Sequence, residues 1–150
     1  MFDIVSWRDW ILKTPPELLS VDIETQWKAI KCIGFAWSPS AAITIPFLDQ
    51  SKPHCHYWVT KEEEKSAWLV VRDVLESNIP KLFQNGMYDL QYIFRWGIKT
   101  RNAAHDTMLL HHSLYPEMRK GLGFLGSIYS NEAAWKLMGR PKADTVKRDE

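Results

Sequence analysis

Leu18-Leu19-Ser20-Val21-Asp22-Ile23-Glu24-Thr25 places two acidic residues on alternate positions of an apolar run. A strand has a side-chain period of two, so Asp22 and Glu24 leave the backbone on one face while Leu19, Val21 and Ile23 leave on the other. Two carboxylates held that close repel each other unless something positive lies between them, and a divalent cation meets that need. The competing account is an edge strand that turns both acids to solvent. From this stretch alone the two accounts stand level.

The neighbouring sequence makes this strand part of a sheet. Ala29–Trp37 and Ala41–Phe47 are apolar runs separated by short polar turns, and their spacing predicts an antiparallel meander over about residues 18–24, 29–37 and 41–47. Gly34 marks a bulge or a close contact in the second run. After a polar loop from Asp49 to Trp58, Thr60 offers an N-cap with Glu63 at N3, and Ala67, Trp68, Val71, Val74 and Leu75 follow at helical spacing. A helix over 61–77 is expected. Lys81–Gln84 reads as a brief buried strand entering a helix over 87–96, which Gly97 ends. Asp106 is placed as the N-cap of a helix that Pro116 stops, and two short helices follow, around 122–129 and 131–138.

The expected fold is therefore α/β: a mixed sheet with flanking helices, the acidic strand at its centre. Residues 1–16 form an N-terminal arm or short amphipathic helix ending at Pro15-Pro16, residues 17–138 the domain proper, and residues 139–150 a polar tail.

Composition excludes several classes. The chain has 150 residues, 45% of them hydrophobic, and a formal charge of +1, which suits one globular module without a strong overall field. Any grip on nucleic acid has to come from a local groove. Cys32 and Cys55 cannot build a disulfide framework and read as reduced thiols. No basic leader precedes a long apolar run and no segment has the length to cross a bilayer, so the expectation is a soluble cytoplasmic protein with no membrane partner.

More acids cluster with the first pair. Asp89 follows Gln84-Asn85-Gly86-Met87-Tyr88 at a strand-to-helix transition, where α/β proteins present ligands, although an acid in a first helical turn also complements the helix dipole. His54 with His56, and His111 with His112, lack a metal-ligand spacing. Carboxylates without a matching His or Cys set favour Mg2+ or Mn2+ over zinc. Such ions suit phosphoryl transfer, in which a pair roughly 4 Å apart activates water and steadies the leaving oxygen.

Val21-Asp22-Ile23-Glu24-Thr25, Gln84-Asn85-Gly86-Met87-Tyr88-Asp89 and His105-Asp106-Thr107-Met108-Leu109 together resemble the 3′–5′ exonuclease, or proofreading, domain of family A DNA polymerases, a member of the DEDD exonuclease superfamily. Leu114-Tyr115-Pro116-Glu117 and Lys120-Gly121-Leu122-Gly123-Phe124-Leu125 look like its bacteriophage branch, which would place the protein in a host cytoplasm. The resemblance implies a ribonuclease-H-like fold and hydrolysis at a single-stranded DNA 3′ end. It makes Asp22, Glu24 and Asp89 catalytic metal ligands, and it sets Thr25, Gln84, Asn85 and Tyr88 against the terminal nucleotide. Two ions, Mg2+ or Mn2+, are implied when the site is complete. Asp106 is expected to be structural, as a cap.

The family's third motif, Tyr-x-x-x-Asp, is missing: Tyr129 is followed four residues on by Ala133, and Tyr115 by Arg119. The sequence thus reads as a C-terminally shortened domain, a split-gene product whose partner chain or polymerase domain supplies the remaining helix, or a remnant. The first two leave an exposed apolar surface that favours docking or self-association. An exonuclease weak or inactive alone, an RNA-trimming exonuclease and a non-catalytic docking module are the competing functions. Arg95, Lys99 and Arg101, and separately Arg119 and Lys120, read first as solvated charge. Trp68 and Trp96 are expected in the core, and Trp27 against substrate.

Overall fold

Antiparallel pairing joins β1 (Leu19–Gln26), β2 (Ala29–Ser38) and β3 (Ala41–Pro46), so the meander forms as its turn spacing requires. The computed structural model describes residues 3–131; residues 132–138 of the expected last helix and the tail over 139–150 lie outside them. A capping box at Thr60 opens α2 (Lys61–Leu75): Thr60 Oγ1 accepts from the Glu63 N–H at 3.1 Å, and Glu63 accepts from the Thr60 N–H at 3.0 Å. The chain then enters β4 (Lys81–Phe83), parallel to β1, and α3 (Gly86–Arg95), beyond which Gly97 takes φ 74°. A fifth strand, β5 (Ala103–Asp106), pairs in parallel with β4 and runs directly into α4 (Thr107–Leu114).

The sheet order β3-β2-β1-β4-β5 puts the acidic strand at the centre of a mixed sheet. Leu19, Val21 and Ile23 face the core with Ile33, Phe35 and Ile45, and Val70, Val71, Val74 and Leu75 of α2 join the same cluster. The opposite face is small and polar: Asp22 is paired with Gly34 and Gly34 with Thr44, while Glu24 is paired with Cys32 and Cys32 with Pro46. Alternation along β1 therefore separates a buried apolar side from one that exposes Asp22 and Glu24.

At the N-terminus, Asp3 caps α1 (Ile4–Lys13), accepting from the Val5 N–H at 3.0 Å. Its Trp7 and Ile11 are buried in the main core, Trp7 with its ring 5.3 Å from that of Phe35, and Arg8 pairs with Asp73 of α2 at 3.1 Å. The described chain thus carries α1 on the core of the sheet.

Three sequence expectations change. Gly34 marks neither a bulge nor a tight contact: a Cβ there would meet only Asp22 O, at 3.8 Å. The ladder shifts instead at Glu24/Thr25 and at Ala36/Ser38. Trp68 is half-buried, packed on the core through Phe47, while Trp96 is 52% exposed because it covers the outer side of Trp68 by stacking.

By its contacts the chain divides into two compact units, Met1–Leu110 and His111–Glu150, with the boundary inside α4. The first holds the sheet. In the second, the described part comprises the last turn of α4 and α5 (Leu122–Tyr129), where the buried His111 Nδ1 lies 2.9 Å from Tyr129 Oη and the rings of Tyr115 and Phe124 stand beside it. Among the described residues, no helix is long and apolar enough to cross a membrane.

Candidate active site

Position on β1 decides what each acid can do. Asp22 and Glu24 are exposed on the open face, and the ladder shift falls immediately after Glu24: it pairs with Cys32 while Thr25 pairs with Ile30, leaving Lys31 as the extra residue of β2. Such a bulge bends the strand and re-aims the side chains that follow it. Burial pushes the Cys32 thiol above its ordinary pKa, and the Glu24 carboxylate opposite pushes it further, so Cys32 stays protonated at neutral pH.

Asp89, in the first turn of α3, is 4% exposed, and its Oδ1 accepts the Ile23 N–H at 3.0 Å. That bond docks the third acid on the backbone between Asp22 and Glu24. Burial raises the Asp89 carboxyl to about 6; the Ile23 N–H opposes this shift, while the charges of Asp22 and Asp106 add to it. A second link is formed by Thr25 Oγ1 and Tyr88 Oη, 2.7 Å apart. The first and second sequence motifs are therefore joined by two hydrogen bonds.

The loop between β4 and α3 is held from below. Asn85 takes a left-handed conformation (φ 60°, ψ 43°), tolerated by Asn better than by most side chains. Gly86 follows under a tight ceiling: a Cβ there would lie 2.6 Å from the Phe83 Cβ. Asp106 fixes both residues, its Oδ1 accepting the Asn85 N–H at 3.1 Å and its Oδ2 the Gly86 N–H at 2.7 Å. The same carboxylate caps α4 by accepting the Met108 N–H at 2.8 Å. The Thr107 hydroxyl donates to Gln84 Oε1, which ties Gln84 to the start of α4.

Capping was the role expected of Asp106, but its bonds to the Asn85–Gly86 loop were not. The sequence signal existed in His105-Asp106-Thr107, yet β5, which carries Asp106 alongside Phe83, lacks the apolar alternation that reveals a strand. Trp27 is 66% exposed in the β1–β2 turn, where Trp27 and Lys28 both have positive φ (51° and 64°). Arg95 lies over the Tyr92 ring, 4.7 Å from its centroid.

Carboxylate oxygens are the right donors for a hard divalent cation, and a cation beside Asp89 would offset the burial and charge repulsion that raise its pKa. In kind, then, the residues fit Mg2+ or Mn2+. In number they are short: among the described residues, no three His, Cys, Asp or Glu side chains converge as a metal-holding group.

No family model matches the chain, and no curated protein matches it. Solved structures do. NrnC from Brucella melitensis overlays with a TM-score of 0.56 at 15% identity, covering 91% of this chain and 63% of its own. A second structure, titled Brucella melitensis NrnC bound to pGG, gives 0.52 at 15% identity, covering 86% and 63%. The EXD2 exonuclease domain soaked in Mn and GMP overlays at 0.47 with 17% identity over 83% of this chain and 61% of its own, too loosely to argue from. The chain spans about 63% of the length of NrnC.

At such identities the likeness defines the fold. The chain has an α/β fold with a mixed sheet flanked by helices, like that of NrnC.

Proposed function

We propose that this chain is a metal-dependent 3′–5′ exonuclease module that hydrolyses phosphodiester bonds at DNA 3′ ends. The supporting observation is the Ile23 N–H bond to Asp89, which holds a buried carboxyl with a raised pKa against the strand that exposes Asp22 and Glu24. Perturbed acids assembled from separate elements are typical of catalytic sites. In this reading Asp22, Glu24 and Asp89 hold Mg2+ or Mn2+, and Thr25, Gln84, Asn85 and Tyr88 receive the terminal nucleotide. Bound divalent ions would supply positive charge to the scissile phosphate and acidify the attacking water. Tyr88, tied to Thr25, limits where the last sugar can lie, while Asp106 and Thr107 keep Asn85 and Gln84 in place.

The sequence carries no Tyr-x-x-x-Asp spacing, so activity of the chain alone is expected to be weak. A further segment, a polymerase domain or a second chain would complete the site. A proofreading role beside a polymerase is the finer form of this reading, and it rests on the sequence motifs. The open count of metal-holding side chains favours a second reading, in which the fold is retained for docking without catalysis.

A nuclease assay separates them. With Mn2+ and 5′-labelled single-stranded DNA, RNA or pGG, the exonuclease reading expects stepwise shortening that Asp22→Ala abolishes. Intact substrates under every condition would leave the docking module. Cleavage of RNA or pGG alone would move the substrate class away from DNA.

A further inference from the structure

A second site lies away from the acids. The loop over residues 52–59, the start of α2 and the end of α3 enclose a cleft of about 880 Å³, within the roughly 300–1,000 Å³ range of small-molecule sites. Its inner wall is aromatic. Trp68 stacks on Phe47 at 3.8 Å and on Trp96 at 4.1 Å, with interplanar angles of 19° and 20°, and Trp96 ends the stack half-exposed. Around the rim stand Lys52, Lys61 and Lys65, against one carboxylate, Glu64.

Flat rings and a basic rim answer to one ligand chemistry. We propose that this cleft binds an aromatic base bearing a phosphate, either as a free nucleoside monophosphate or as a nucleotide within a single strand. The base stacks against the half-exposed Trp96, and Lys61 and Lys65 on the rim supply positive charge to the phosphate. Glu64 lies beside His56, whose Nδ1 is 3.4 Å from its carboxylate. This site goes beyond the proposed hydrolysis, because it uses neither Asp22 nor a divalent cation.

The test is an NMR titration of the full chain labelled at the tryptophan indoles, using AMP, ribose 5-phosphate and a short single-stranded oligodeoxynucleotide. AMP is expected to shift the indole signals of the stacked Trp68 and Trp96, and ribose 5-phosphate to leave them in place. Trp96→Ala should weaken AMP binding by about tenfold. Lys65→Glu, at an exposed position that leaves the core intact, should weaken it comparably, while Asp22→Asn should not change it. Tighter binding of the oligonucleotide would assign the strand as the natural source, and equal binding the free nucleotide; both support the site. No indole shift at millimolar AMP, an equal shift with ribose 5-phosphate, indifference to Lys65→Glu, or loss of binding in Asp22→Asn would each overturn it.

Discussion

Asp89 shows how one side chain connects folding to function. Its carboxyl sits near 6 in the folded chain, against an ordinary value of 3.8. Between those values the folded state binds more protons than the unfolded state, so the contribution of Asp89 to stability is present below the lower value and is lost as pH rises through 6. The loss is on the order of 2–3 kcal/mol. Asp89→Asn keeps an acceptor for the Ile23 N–H and removes the titration, so the stability of wild type relative to this variant should fall between pH 4 and pH 7. Urea titrations at the two pH values check this, and a constant difference would contradict it. Gly86 gives a second residue-scale expectation. Its Cβ-free approach to Phe83 means that Gly86→Ala forces β4 and α3 apart, costing about 1–3 kcal/mol by the same titration. Removing the Asp106 carboxylate should act on the same loop, since Asp106→Ala frees the Asn85 and Gly86 N–H groups together and uncaps α4, for about 1–3 kcal/mol.

At the scale of elements, the meander was legible because β1, β2 and β3 alternate apolar and polar residues between punctuating turns, and α2 was legible because Thr60 and Glu63 announce its start. The strand β5 was not. Ala103, Ala104 and His105 are exposed, and their strand conformation comes from pairing with β4 rather than from burial of a side-chain pattern. Missing β5 concealed that Asp106 reaches the loop before α3, which is why a residue legible as a cap was not legible as the anchor of Asn85 and Gly86. The same-face placement of Asp22 and Glu24 was readable because they alternate with the apolar Val21 and Ile23 on the central strand. The β1–β2 turn carries a separate consequence. Trp27 and Lys28 both occupy positive φ without being glycine, a conformation that side chains resist. Lys28→Gly should therefore raise the melting temperature, with a gain of up to about 1 kcal/mol. A lower melting temperature would mean that the Lys28 side chain contributes more than its backbone strain costs.

For the molecule as a whole, the described residues form a sheet unit with its own core and a helical unit that begins inside α4. Large apolar side chains stay exposed on both: Met87, Phe94, Leu109 and Leu110 on the first, Leu114, Ile128 and Tyr129 on the second. Surfaces of this kind commonly meet a partner. The central proposal is that Asp22, Glu24 and Asp89 bind a divalent cation, and paramagnetic Mn2+ reads this directly. Added stepwise to the 15N-labelled chain, Mn2+ should broaden the amide signals of residues 22–25 and 86–89 before all others. Glu24→Gln should suppress that broadening, and EDTA should restore the signals. Sharp signals throughout at millimolar Mn2+, or broadening centred on His54 and His56, would contradict the claim.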